Sequence, residues 1–465
     1  MNQEESNVEK LARQALSDLL GDRFVTAESA REEHAHDVSH HRRGIPQGVA
    51  FPKSNEEIVQ IVSLCAEHHI PIIPFGTGTA VEGGVVPTQG GISLDVSRMN
   101  QILDVNVQDM TATVQAGVTR QALNSHLEDI APDFYFPVDP GADASLGGMV
   151  ATCASGSAAV RYGTMRQNTL GLTVILADGR LIRTGGRVRK SSAGYDLTRL
   201  YVGSEGTLGV ISEVTVRLTH KPAAVSTATC DFPAIEPAVN TVIDIMTAGI
   251  PMARIELLDD VQMAAVNKYS GLNSPVAPTL FFEFHGSETS VVEHVEAAKR
   301  IVELHGGGEF QWAVEKSERD RLWQARHDAY YASLAMRPNG AGYVTDVCVP
   351  ISQLANCIAK TRKLLKSTSI PAPLYGHVGD GNYHVVFVID PNRSEELAEV
   401  QKLSRQIVAD ALAAGGSCSG EHGIGLGKID ALEDEAGEAI TVMRDIKRAL
   451  DPLNLMNPGK VLRME

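Results

Sequence analysis

Pro71-Ile-Ile-Pro-Phe75, Gly76-Thr-Gly-Thr-Ala-Val-Glu-Gly-Gly84 and Gly91-Ile-Ser-Leu-Asp-Val96 follow one another along the chain, and their order separates two kinds of nucleotide-binding fold. The first reads as a short buried strand, the second as a glycine-rich turn, the third as another strand. A Rossmann-type unit needs Gly-x-Gly-x-x-Gly between a strand and a helix, so that a pyrophosphate meets the helix N-terminus. Here no third glycine stands at the required position, and Pro87 and a further strand come next. That order argues against a nicotinamide site. Two glycines and two threonines in a tight turn still offer N–H groups and hydroxyls to a pyrophosphate, a nest that needs no helix dipole. Alone, the signal is weak, because most glycine-rich turns are only turns.

Working outward, Ser54-Asn-Glu-Glu57 reads as a capping box opening an apolar-periodic helix that runs to Ile70. Downstream, Phe136-Pro-Val-Asp-Pro-Gly-Ala-Asp-Ala-Ser-Leu-Gly-Gly-Met149 leads into Ala154-Ser-Gly-Ser-Ala-Ala-Val-Arg-Tyr-Gly163, a long run of small residues that lets backbone approach a planar ligand closely. Gly203-Ser-Glu-Gly-Thr-Leu-Gly-Val-Ile211 then enters an alternating strand over 212–218. Together these describe a glycine-lined cleft within residues 44–220.

After Lys221-Pro222 the texture changes. Strand patterns over 252–257, 280–285 and 342–349 alternate with amphipathic helices over 235–248, 289–304 and 351–365. This predicts a second, α+β domain on a largely antiparallel sheet with its helices gathered on one face. Near its end stands Tyr375-Gly-His-Val-Gly-Asp-Gly-Asn-Tyr-His384, followed by Ser417-Cys-Ser-Gly-Glu-His-Gly423. A Gly-Asp-Gly bend between His377 and His384 lets both imidazoles face one cavity, Glu421 supplies a hard oxygen ligand, and His422 a group that titrates near neutral pH. The competing reading is a polar loop whose histidines cap backbone groups. The second glycine cluster, with Glu421 and His422 inside it, favours a divalent-metal site. One more helix follows, and then Asp451-Pro-Leu-Asn-Leu-Met-Asn-Pro-Gly-Lys460.

The chain has 465 residues, enough for two or three domains each with its own core. Its net charge of −16 argues against nucleic acid or an anionic membrane surface as principal partner, so a cofactor phosphate has to be held by backbone amides. No apolar run approaches the ~20 residues of a membrane span. The first forty residues are acidic and carry no hydrophobic signal core, which makes a cytoplasmic protein the expectation. The six cysteines (65, 153, 230, 348, 357 and 418) form no Cys-x-x-Cys pair and suggest neither zinc knuckle, cluster nor disulfide framework. Cys418, beside the metal candidates, reads as a small buried residue.

Ile73-Pro-Phe-Gly-Thr-Gly-Thr79, the stretch from Phe136 to Leu146, Val160-Arg-Tyr-Gly-Thr-Met165, Val202-Gly-Ser-Glu-Gly-Thr-Leu-Gly209, Gly376-His-Val-Gly-Asp-Gly-Asn382, Gly420-Glu-His-Gly-Ile-Gly425 and Met456-Asn-Pro-Gly-Lys460 are shared motifs. In this order they resemble the FAD-linked D-2-hydroxyacid dehydrogenases of the vanillyl-alcohol-oxidase type, nearest to the mitochondrial, cytochrome-linked D-lactate dehydrogenases. The resemblance runs from about Pro46 to Val461. It implies an α+β architecture: a helical lead-in over 1–43, a PCMH-type two-subdomain FAD-binding domain over 44–221, a substrate and metal (cap) domain with a large, mainly antiparallel sheet over 222–422, and a C-terminal helix and tail over 423–465 returning to the FAD domain.

The same resemblance implies roles. Pro74, Gly76, Thr77, Gly78 and Thr79 match the pyrophosphate loop. Pro140, Ser145, Gly148, Met149, Gly156, Ser157 and Val160 match the segments lining the flavin and its ribityl chain. Glu205, Gly209 and Ile211 match those near the adenosine end, and Asn457 sits where the tail meets the flavin domain. Residues 75–84 hold no histidine or cysteine for a covalent flavin bond, so the FAD is expected to be non-covalent. His377, His384 and Glu421 match zinc or manganese ligands, His422 the catalytic base, and Arg326, within Leu322-Trp-Gln-Ala-Arg-His-Asp328, the group that holds the substrate carboxylate. A D-2-hydroxy acid then chelates the metal through hydroxyl and carboxylate while its C2 hydrogen passes as hydride to the flavin. Relatives acting on 2-hydroxyglutarate carry a lysine and an asparagine near the places of Val344 and Val386. Without them a second carboxylate lacks partners, and a short or apolar substrate such as D-lactate is expected. The competing readings are a glycolate oxidase flavin subunit, a D-2-hydroxyglutarate dehydrogenase, and a flavin- or metal-binding protein without turnover. The electron acceptor (quinone, cytochrome or electron-transfer flavoprotein) is left open.

Overall fold

The computed structural model describes residues 3–41 and 43–464, of residues 3–9 the backbone only. Residues 1, 2 and 42 of the expected lead-in and residue 465 of the expected tail lie outside the described residues. The chain forms two compact units: Met1–Ser155, Gly163–Lys221 and Glu421–Glu465 make the first, Gly156–Tyr162 and Pro222–Gly420 the second.

In the first unit the opening stretch folds as its order dictates. Ile72–Phe75 and Ile92–Asp95 are parallel neighbours, and the turn between them contains no helix. Gly48–Ala50 lies on the other side of Ile92–Asp95, also parallel, and Phe24–Val25 closes the sheet antiparallel. Both faces of these strands are buried, which is why they read as continuous apolar runs. The crossover helix Asn55–Glu67 packs Ile58, Ile61, Val62 and Cys65 into the same core. Its start departs from the expected capping box. Ser54 Oγ accepts from the Glu57 amide, but the Glu57 carboxylate turns away to the Lys53 amide (2.7 Å) and to Arg23 (Nη2, 2.7 Å). The helix also stops at Glu67, short of Ile70, because His69 takes a left-handed conformation (φ +54°).

A second sheet in this unit, entirely antiparallel, runs Ile102–Asn106, Thr111–Gln115, Val210–Arg217, Thr169–Ile175, Leu181–Gly185. Helices Arg120–Ile130 and Leu146–Thr152 bury Leu123, Leu127, Leu146 and Met149 in a core with its inward residues Val114, Leu172, Val174 and Val214. The tail returns to the first sheet, where Met456 bridges Ile72 and the Asn457 amide donates to the Ile72 carbonyl (2.8 Å).

The second unit is built on an eight-stranded antiparallel sheet ordered Gln311–Ala313, Ala224–Asp231, Thr279–Gly286, Met252–Leu258, Leu374–Gly376, Asn382–Ile389, Ala341–Val344, with Val347–Cys348 also paired to Asn382–Ile389. Helices Ile235–Thr247, Glu288–Leu304, Leu354–Leu365 and Ser394–Ala413 cover one face. The expectation that all helices gather there is corrected: residues of Asp260–Ser270, Lys316–His327 and Ala329–Ala335 form a second core with Phe281, Tyr375, Val386 and Val388. The central strands require it, since residues 382–389 are buried without exception and a strand apolar on both faces needs two covers. The stretch 342–349 breaks into two short strands at Thr345-Asp346, where Asp346 turns inward. Among the described residues no helix is long and apolar enough to cross a membrane.

Candidate active site

The bend between His377 and His384 is a single 3-10 turn, Val378–Asp380, closed by Gly381 at φ +86°. A Cβ at Gly381 would lie 2.0 Å from the Val349 carbonyl oxygen and one at Gly379 2.2 Å from Ile255, so neither place admits a side chain. The bend brings the imidazoles of His377 and His384 to 5.6 Å between ring centroids, nearly perpendicular at 82°, with a ring nitrogen of each within 4.8 Å of the other.

Their partners fix their tautomers. His377 Nδ1 lies 2.7 Å from Glu256 Oε1, and His384 Nδ1 lies 3.1 Å from the Thr345 carbonyl oxygen. A carboxylate and a carbonyl only accept, so each Nδ1 carries a proton, and in the neutral ring the lone pair is then on Nε2. In their neutral forms two such imidazoles offer Nε2, a donor set a divalent cation takes, and a carboxylate or carbonyl behind each ring is the usual support of such ligands.

Glu256 is fully buried on the strand Met252–Leu258, and its second oxygen accepts from Arg326 Nε at 2.7 Å. Burial raises its pKa, but the facing His377 and Arg326 outweigh that and hold it below the usual glutamate value. Arg326 also lies over the Tyr375 ring, 5.2 Å from its centroid. With His384 beside His377, the structure therefore joins His377 and Arg326 through Glu256, which sequence reasoning missed. Its sequence signal is the alternation Arg254-Ile-Glu-Leu257, whose apolar members enter the core and whose charged members share the other face. Asp346 was also passed over. Its Oδ2 accepts from Ser419 Oγ and the Gly420 amide (both 2.9 Å), its Oδ1 from Asn382 Nδ2 (2.8 Å), and Oδ1 lies 3.7 Å from His384 Nδ1. Glu421 and His422 are the next two residues of the chain after Gly420, and they stand 3.5 Å apart (Oε1 to Nε2). Cys418 is buried, as expected.

In the first unit Pro74 ends in the turn Gly76-Thr-Gly-Thr79, where Gly78 takes φ +67° and the hydroxyls of Thr77 and Thr79 lie 3.3 Å apart. Gly76, Thr77, Ser97, Asn100, Gly117 and Ser145 line a cleft of about 310 Å³. A Cβ on Gly76 would sit 2.3 Å from Ser145 Oγ, which caps the helix Leu146–Thr152 by accepting from the Gly148 amide (3.4 Å). Met149 is buried on that helix, and Pro140 is half-buried in the loop before it. Gly156, Ser157 and Val160 belong to the second unit, where a Cβ on Gly379 would come 3.0 Å from Val160. Gly209 (φ +153°) lies against the Ile175 carbonyl, and Ile211 is buried in the strand Val210–Arg217.

Glu205, itself at φ +49°, accepts from the amides of Ile424 (2.7 Å) and Gly425 (2.9 Å). Complete burial nevertheless pushes its pKa up to about 7. Asn457 donates to the carbonyls of Gly84 (2.8 Å) and Glu205 (2.7 Å) and joins the glycine turn, the 203–209 segment and the tail. Asn457 Oδ1 and Ser204 Oγ are buried polar atoms with no partner from the protein. A glycine turn, an open cleft and orphaned polar atoms along one strand end fit a dinucleotide.

Residues 46–185 match the FAD binding domain model, and residues 221–461 the C-terminal domain of the FAD linked oxidases. The chain is 51% identical over 451 residues to the "Probable D-lactate dehydrogenase, mitochondrial" of Danio rerio, covering 96% of this chain and 90% of that one. It is 34% identical over 443 residues to "Glycolate oxidase subunit GlcD" of Bacillus subtilis (strain 168), covering 94% and 93%. The solved structure of p-cresol methylhydroxylase with substrate bound has the same fold at 17% identity, with a TM-score of 0.83 covering 99% of this chain and 97% of that one. Two matched domains in order, and relatives aligned over nearly their whole length, show that the chain belongs to the FAD-linked oxidases and carries their PCMH-type FAD-binding fold.

Proposed function

We propose that this protein oxidises D-lactate and similar short or apolar D-2-hydroxy acids to 2-oxo acids, using non-covalent FAD and a divalent ion, zinc or manganese, held by His377, His384 and Glu421. The observation that carries the reading is the pair of neighbouring imidazoles, each with Nδ1 engaged by an acceptor, with Arg326 tied to the buried carboxylate that His377 bonds. The name of the Danio relative, a probable D-lactate dehydrogenase, supports it. When bound, the ion acidifies a coordinated hydroxyl and FAD takes up two electrons with the C2 hydrogen.

The protein's own residues do the rest. The Arg326 guanidinium binds the substrate carboxylate and fixes one substituent of C2. His422 accepts the hydroxyl proton. Val386 follows His384 by two residues on one strand and pairs with Val344 across to the next. Both valines belong to an apolar cluster with Tyr375 and Trp323, which leaves a distal carboxylate without a partner. Fixing the hydroxyl, the carboxylate and the direction of hydride departure selects one enantiomer.

Purified protein assayed with an artificial dye acceptor against D- and L-lactate, D-2-hydroxybutyrate, glycolate and D-2-hydroxyglutarate tests this. D-lactate and D-2-hydroxybutyrate are expected to lead, and D-lactate to bleach the flavin absorbance anaerobically. Equal rates with L-lactate contradict the geometry, and 2-hydroxyglutarate as best substrate contradicts the apolar wall. The Bacillus relative makes glycolate the second reading, and glycolate outrunning D-lactate establishes it.

A further inference from the structure

Glu256 holds two groups that the proposed chemistry uses for different ends. Its Oε1 accepts a hydrogen bond from His377 Nδ1 and its Oε2 one from Arg326 Nε, each at 2.7 Å. The carboxylate itself is immobile. Its strand is paired on both sides, Glu256 with Phe281 and Leu257 with Gly376, and the flanking Ile255 and Leu257 are buried in the core. Gly376 is the residue before His377, so the backbone that carries the acceptor and the backbone that carries the ring are neighbours in one ladder.

We infer that Glu256 is a positioning residue that couples the metal side of the site to the carboxylate side. On one side, accepting from Nδ1 keeps the His377 lone pair on Nε2. On the other, a bond to Nε, with Tyr375 under the guanidinium, sets the plane of Arg326 so that its two terminal nitrogens form the fork a planar carboxylate needs. One rigid carboxylate thereby sets the spacing between the point that takes the substrate hydroxyl and the point that takes its carboxylate. The inference rests on the proposed roles of His377 and Arg326. A merely structural buried ion pair would stiffen the sheet without linking the two.

The test uses Glu256→Gln in the FAD-loaded protein. The amide keeps the shape but presents one acceptor and one donor, so it cannot receive both N–H groups. Affinity for Mn²⁺ alone, measured by calorimetry without substrate, is expected to fall about 10- to 100-fold, the scale for losing such a support. KM for D-lactate at saturating Mn²⁺ is expected to rise about tenfold, with flavin content unchanged. Double-mutant cycles then separate the two arms: Glu256→Gln adds nothing to the Mn²⁺ defect of His377→Ala and nothing to the KM defect of Arg326→Ala. Additive effects in both cycles, or Mn²⁺ affinity and KM within twofold of wild type, overturn the inference. If Glu256→Gln fails to fold, Glu256→Asp, which keeps the charge but reaches only one partner, must lower one of the two affinities, and leaving both intact overturns it equally. Wild-type Mn²⁺ affinity in His377→Ala itself defeats the metal reading, whereas a defect there with none in Glu256→Gln defeats only the role of Glu256.

Discussion

Replacing Asp346 by asparagine attacks the segment that carries Glu421 and His422 without substituting either. The Asp346 side chain is buried, and its carboxylate receives Asn382 Nδ2 on one oxygen and both Ser419 Oγ and the Gly420 amide on the other. Asparagine keeps one acceptor. If that oxygen stays with Asn382, the new NH₂ faces the Gly420 N–H, donor against donor, while Ser419 can reverse its hydroxyl. The loss is then the charge-assisted bond of the half-buried Gly420 amide, which is left unsatisfied, about 1.5–3 kcal/mol. That loss falls on residues 419–420, because the preceding Ser417 stays paired with Cys348 in both directions (2.7 and 3.2 Å). Displacing a catalytic group by ~1 Å costs on the order of 10²-fold. Asp346→Asn is therefore expected to retain FAD and to lose ~10²-fold in kcat/KM for D-lactate by the dye assay. Calorimetry shows whether the loss is local or global: spread over a unit of this size, 3 kcal/mol lowers Tm by roughly 6–12 °C, whereas local opening leaves Tm in place. A variant with near-normal kcat/KM and unchanged Tm refutes the claim that Asp346 anchors this segment.

Three further outcomes are expected. His422→Ala should keep FAD and most of the metal while stopped-flow flavin reduction slows by ~10²-fold and the acidic limb of its pH profile disappears; a variant that loses metal, yet reduces at a near-normal rate once metal is restored, makes His422 a ligand instead. Gly78→Val should yield flavin-poor protein whose second unit still folds, because the backbone there is left-handed and a Cβ would lie 2.8 Å from the Phe75 ring; full flavin occupancy by absorbance places the pyrophosphate elsewhere. Glu205 binds a proton more readily folded, at about 7, than unfolded, so its contribution to stability is present below its ordinary carboxylate pKa and is lost as pH rises to about 7. Tm of the wild type should fall relative to Glu205→Gln across that window, and parallel Tm curves contradict the raised pKa.

The alternation of periodicities was enough to place the strands Ile72–Phe75 and Ile92–Asp95 and the antiparallel sheet of the second unit, because a buried strand, an amphipathic helix and a glycine turn each impose a local pattern that survives in one dimension. Ile72–Phe75 followed by a glycine turn and a further strand argues against the Rossmann reading from the sequence alone. His377 and His384 were legible for the same reason, since a Gly-Asp-Gly bend fixes their geometry within eight residues. Contacts across long stretches of chain left no such trace. Glu256 lies 121 residues before His377 and 70 before Arg326, and in sequence it is one charged residue in a strand. Asp346 reads as one position inside a strand over 342–349, and only the pairing of residues 382–389 with two short neighbours shows that the strand breaks there. The second helical cover was hidden likewise, because an apolar run states that both faces of a strand are buried and not which helices bury them. Local sterics and periodicity determined the elements and the two histidines, whereas the carboxylates that set the tautomer of one and anchor the segment after Ser417 were decided by tertiary packing, which alone brings a buried charge to its distant partners.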